Sequence, residues 1–204
     1  MARTDIHPKR PAPAGLDFVP VEGGPDCLTF GVVRRQIGNG PIHTTHEAIL
    51  RRLCPGGRAK PAEPWRPSCY RHDVLLPPKA PDECFNPKVL CDLYEKQSFG
   101  KIKDLVVMAT LRFYSPDRLA HEWEAVRAFA HERLCNERHL AVVAVMHLPV
   151  LVGSTNPPHM HLMIPARELH SFGFGELVRP LATDRGKQIL TDELAEWLPG
   201  FSAD

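Results

Sequence analysis

The sequence predicts an α+β fold: a mainly antiparallel sheet with helices packed on it. Three observations lead there. Strand-length apolar runs and amphipathic helical stretches follow in the order strand, helix, helix, strand, helix, strand, strand. The last two strands are separated only by the loop 148–158, a connection compatible with antiparallel pairing. Hydrophobic residues make up 43% and charged residues 24% of 204 positions, enough to bury one sizeable core.

Residues 1–24 hold Pro8, Pro11, Pro13, Pro20 and Gly23-Gly24 with little periodicity, and read as a flexible N-terminal arm. Cys27 to Val33 is an apolar run of strand length. Thr44 and Glu47 match a capping box, opening a helix through Ile49, Leu50 and Leu53 that stops at Pro55-Gly56. Residues 55–67 are a Pro/Gly loop, and Asp73 to Leu76 is a brief strand ended by Pro77-Pro78. Asn86-Pro87 forms an N-cap and first-turn pair for a helix whose apolar face is Val89, Leu90, Leu93 and Tyr94.

Ile102 to Phe113 reads as a strand around Leu105-Val106-Val107-Met108. Ser115-Pro116-Asp117 opens a helix with Leu119, Trp123, Val126, Ala130 and Leu134 on one face. Leu140 to His147 and His159 to Ile164 are the final strands of a domain spanning 25–182, and a C-terminal helix and tail fill 183–204. Pro is twice its usual ~5%, with 21 residues, so long connections are expected.

The net charge of +1 excludes a uniformly basic nucleic-acid coat. Charge is nonetheless uneven: Gly31 to His72 carries eight basic residues against Glu47 and Glu63. Such a segment can attract phosphates, or it can be a solvated face with a basic loop. No apolar run reaches the ~18–20 residues of a membrane span, and the opening residues lack an apolar signal core. The six cysteines include no Cys-x-x-Cys, and reduced thiols in a cytoplasmic protein are expected.

His147, His159 and His161 are the most informative residues. His159 and His161 share a strand face, and antiparallel pairing would bring His147 beside His159. Three neutral imidazoles could then converge on one divalent cation and leave coordination positions open for chemistry. The plainer reading is a set of unrelated strand histidines.

Asn156-Pro157-Pro158-His159-Met160-His161-Leu162-Met163-Ile164, followed by Arg167 and Gly173-Phe174-Gly175-Glu176-Leu177-Val178-Arg179, resembles the MobA/MobL family of plasmid mobilisation relaxases. Val145-Met146-His147 resembles that family's strand with the third metal-ligand histidine. The likeness spans about 72–180, and Met160 stands at the apolar position of the His-apolar-His motif that names the HUH endonucleases. The resemblance implies a relaxase-like fold and a divalent metal ion, Mn or Mg, held by His147, His159 and His161. It also implies transesterification on single-stranded DNA at a transfer origin, with relaxosome accessory proteins as partners.

That family's nucleophile is a tyrosine on the helix after the first strand, where this chain has Leu50 followed by Arg51. Tyr70, in Tyr70-Arg71 beside the basic loop, is the candidate catalytic substitute. Arg51, Arg71 and Arg179 are the candidate DNA contacts. Leu148 occupies the place of the family's acidic residue after the third histidine. Two other readings remain open: a degenerate relaxase-like DNA-binding protein, and a metal-dependent phosphohydrolase using water.

Overall fold

The computed structural model describes residues 16–19, 28–55, 65–98, 100, 102–113, 119–183 and 185–198. Its strands are β1 (Leu16–Val19), β2 (Leu28–Arg34), β3 (Arg71–Leu75), β4 (Asp104–Arg112), β5 (Val142–His147), β6 (His159–Pro165), β7 (Arg167–His170) and β8 (Gly173–Leu177). The helices are α1 (Thr45–Leu53), α2 (Pro87–Gln97), α3 (Leu119–Phe129) and α4 (Arg185–Trp197). Six strands form one sheet in the order β1-β2-β4-β6-β5-β3, every pair antiparallel. The expected α+β class and antiparallel sheet are what the chain adopts.

Both faces of the sheet are covered. On one face Phe30, Val107, Ala109, Val142, Ala144, Met146 and Leu162 pack with Trp123, Val126 and Phe129 of α3 and Leu190 and Leu194 of α4. On the other, Val106, Met108, Val143, Val145 and Met163 pack with Ile49, Leu50 and Leu53 of α1 and Leu90, Cys91 and Tyr94 of α2. A strand covered on both sides needs apolar residues at successive positions, which explains the unbroken run Leu105 to Ala109.

The local signals act as expected at both early helices. Thr44 caps α1, its hydroxyl accepting from the Glu47 N–H at 3.1 Å. The carboxylate of Glu95 accepts from the next N–H, that of Thr45, and so ties α1 to α2. Asn86 caps α2 by accepting from Lys88 N–H at 2.9 Å, with Pro87 in the first turn. Tyr94 is fully buried and donates its hydroxyl to the Asp104 carbonyl at 3.2 Å.

Several features differ from the sequence reading. Leu16–Val19, placed there in a flexible arm, forms β1 along β2; its surrounding prolines and glycines hide a four-residue strand. The rest of the arm, the loop 56–64 and the expected cap Ser115-Pro116-Asp117 lie outside the described residues. The helix begun at Leu119 continues from Ala130 to Asn136 as a wider π-type turn. The β7–β8 ribbon was not foreseen as strands, because Gly173 and Gly175 depress strand propensity. Arg167 holds the ribbon instead, donating to the carbonyls of Gly175, Phe174 and Gln97 at 2.7, 2.8 and 2.9 Å. Among the described residues no helix is long and apolar enough to cross a membrane.

Phe129 is fully buried between α3 and the sheet, so Phe129→Ala should cost about 3–5 kcal/mol in urea denaturation. Val152 is 84% exposed, and Val152→Ser should stay within about 0.5 kcal/mol of the parent.

Candidate metal centre

Strand register assembles the site. β5 and β6 pair so that His147 lies directly opposite His159, while Val145 lies opposite His161. On the other side of β6, β4 sets Thr110 opposite His161 and Arg112 opposite His159. Because directly paired residues share a face, the three histidines, Thr110 and Arg112 occupy one end of the α1/α2 face. The ring centroids are 4.8–5.1 Å apart, and one donor atom from each ring lies within 4.8 Å of the others. The convergence expected from sequence is therefore present.

The second nitrogen of each ring is already engaged. His147 Nε2 donates to the carbonyl of Arg52, the penultimate residue of α1, at 2.7 Å. His159 Nδ1 donates to the Pro157 carbonyl at 3.0 Å. His161 Nδ1 meets the Thr110 hydroxyl at 2.7 Å. A carbonyl can only accept, so His147 carries its proton on Nε2 and His159 on Nδ1. Burial, first among the causes, holds His147 down to about 4 and pushes His159 and, most strongly, His161 below the ordinary imidazole value. All three rings are consequently neutral at pH 7.

His147 Nδ1 and His159 Nε2 lie 3.3 Å apart, and each presents a lone pair rather than a proton. Two facing lone pairs repel unless something positive lies between them. Two nitrogens bound at ~2.0–2.1 Å to one tetrahedral ion would themselves be roughly 3.3–3.4 Å apart. The donor set therefore fits a divalent metal, and three imidazoles with no carboxylate suit Mn, Fe, Co, Ni or Zn better than Mg. Leu148 supplies no acidic partner, but the Arg52 and Pro157 carbonyls and the Thr110 hydroxyl fix ring orientation in its place.

A pocket of about 290 Å³ opens beside the histidines, near the lower edge of the usual ligand-cleft range. Thr29, Arg52, Met108, Thr110, Arg112, Asn156 and Pro157 line it together with His159 and His161. Among the described residues no acidic side chain lines it. Arg112 also reaches the Thr29 hydroxyl at 3.4 Å.

The other sequence-derived candidates are placed elsewhere. Tyr70 is 58% exposed in the bend before β3 and does not line the pocket. Since Arg71 pairs with Met146, Tyr70 enters the sheet at its His147 end. Arg71 lies on the opposite face, paired with Glu124 at 2.9 Å and 4.5 Å over the Trp123 ring. Arg51 is exposed on α1, and Arg179 is exposed in the turn after β8. Leu50, at the resembling family's tyrosine position, is buried in the core. Tyr114 lies outside the described residues.

Arg52, Arg112, Thr110 and Thr29 were not singled out from sequence. Arg52 had a readable signal: it follows Ile49 by three, on the flank of the buried stripe, whereas Arg51 falls on the solvent side. Thr110 and Arg112 depend on the β4–β6 pairing, which joins strands distant in sequence.

A solved structure described as the molecular basis of vancomycin resistance transfer in Staphylococcus aureus shares this fold. It matches with a TM-score of 0.52 and 20% identity, over 67% of this chain and 76% of that one. No family model and no curated protein match the chain.

Thr110→Val removes the partner of His161 and should weaken divalent-metal affinity about 10–100-fold by calorimetric titration. The depressed histidines also set the pH response of the metal-free chain. Between their folded values and the unfolded value of ~6.5, only the unfolded chain takes up protons, so stability is fully present above ~6.5 and declines as pH falls. For His147 the decline continues to about 4, and melting temperatures measured across pH 4–8 should show it.

Proposed function

We propose that this protein is a relaxase-like enzyme that nicks and rejoins single-stranded DNA during plasmid mobilisation. The observation that carries the reading is the set of three neutral imidazoles with convergent lone pairs, beside a pocket lined by two arginines and, among the described residues, no carboxylate. A bound divalent metal would supply Lewis-acid polarisation of a phosphodiester oxygen. The chain's own groups would do the rest: His147, His159 and His161 hold the ion, and the arginines offset phosphate charge. The Asn-Pro-Pro-His-Met-His segment and its likeness to MobA/MobL relaxases support DNA as substrate and a transfer origin as its location.

In the proposed step Tyr70 Oη gives up its proton to solvent and attacks phosphorus, and the 3′-oxygen leaves and takes a proton from solvent. The products are a 5′-phosphotyrosyl bond and a free 3′-hydroxyl, which can reverse the reaction. The exposure of Tyr70 at the His147 end of the sheet supports this role. Arg51 and Arg179, both exposed, would extend the path of the strand, and Arg71 would join it by exchanging Glu124 for a phosphate. Cytoplasmic action with relaxosome accessory proteins belongs to the same reading. One observation favours a second route: no tyrosine lines the pocket among the described residues, so water could be the attacking group.

Incubation of the chain with Mn and a single-stranded transfer-origin oligonucleotide, followed by denaturing gel electrophoresis, separates these routes. A protein–DNA adduct abolished in Tyr70→Phe supports the tyrosine, and cleavage without an adduct supports water. Either activity should fall at least about 100-fold in His161→Ala. Absence of cleavage under every divalent metal would overturn both routes.

A further inference from the structure

Arg52 lines the wall of the pocket beside His159 and His161. No carboxylate pairs with its guanidinium among the described residues, and its wall of the pocket holds Arg112, His159 and His161 but no acid. Burial, followed by repulsion from Arg51, pushes its ionisation below the ordinary arginine range. Arginine nevertheless stays protonated at any working pH, so its positive charge persists beside the pocket and attracts an anion that enters there. A divalent ion on the three imidazoles would raise the local charge further, because all three donors are neutral. A pocket of about 290 Å³ with this balance fits one tetrahedral oxyanion and its adjoining sugar.

The backbone of the same residue does a second job. The Arg52 carbonyl accepts from His147 Nε2 and fixes which ring nitrogen faces the metal position. α1 reaches this place because Ile49, Leu50 and Leu53 are buried against the sheet, and Thr44 starts the helix about two turns earlier. Position 52 thus joins the metal-ligand shell through its carbonyl to the anion pocket through its side chain.

We propose that Arg52 is the phosphate-binding residue of this site, its planar guanidinium taking a DNA phosphate through paired N–H donors. The inference rests on the phosphodiester reading above, and names the group that would hold the reacting phosphate. It also separates the two roles of position 52, since a side-chain substitution leaves the carbonyl in place.

The test uses the full chain and a fluorescein-labelled oligothymidylate, with binding followed by anisotropy over a series of salt concentrations. Metal affinity is measured separately by calorimetric titration with Mn. Arg52→Gln should weaken oligonucleotide binding by about tenfold or more and lower the salt slope by about one. Arg52→Lys keeps the charge but loses the fork, so it should retain the slope with an intermediate affinity. In Arg52→Gln without DNA, Mn should bind as tightly as in the parent or roughly twofold tighter, because a neighbouring positive charge is gone. Unchanged oligonucleotide affinity and slope in Arg52→Gln would overturn the proposal. So would loss of Mn binding in step with loss of DNA binding, which marks a structural role. If the parent nicks DNA while Arg52→Gln binds normally, the phosphate assignment fails and the function stands. If the parent never nicks but Arg52→Gln loses oligonucleotide affinity, the reverse holds.

Discussion

Two backbone carbonyls determine the character of this site. By accepting from His147 Nε2 and His159 Nδ1, the carbonyls of Arg52 and Pro157 oblige the opposite nitrogens to present lone pairs to each other at 3.3 Å. Buried rings resist taking a proton to relieve that repulsion, as the depression of His147 to about 4 reflects. A shared cation relieves it at no such cost. The chemistry of the site follows from that electrostatic demand.

The fold supplies the geometry. Antiparallel register places His147, His159 and Arg112 in one cross-strand row and Thr110, His161 and Val145 in the next. α1 and α2 cover the same face, and the last turn of α1 provides a carbonyl and a guanidinium at this end. α3 and α4 stabilise the sheet from behind without entering the site. A metal centre made of neutral donors and flanked by arginines differs in charge from a carboxylate-rich one. With a divalent ion in place, its positive charge would attract an anion.

Much of this was legible in the sequence. Alternation put His159 and His161 on one face, and the short β5–β6 connection brought His147 across to them, because hairpin neighbours pair locally. The Thr44 and Asn86 caps and the buried stripes of α1 and α2 were equally readable, since each depends on spacings of three or four residues. The β4–β6 partnership was not, so Thr110 and Arg112 stayed invisible: nothing local specifies which distant strand lies alongside. β1 was lost among prolines, and the β7–β8 ribbon among glycines, with Arg167 supplying cohesion that propensity does not describe. The place of Arg52 beside the buried stripe Ile49, Leu50, Leu53 was readable from helical spacing, and that of Arg51 on the solvent side equally so.

The most direct measurement is anomalous diffraction from crystals of the chain soaked with Mn. The account predicts one strong peak within bonding distance of His147 Nδ1, His159 Nε2 and the free nitrogen of His161, with the Arg52 and Pro157 contacts intact. A peak elsewhere, or imidazoles that keep their present separation under saturating metal with no peak between them, would contradict it.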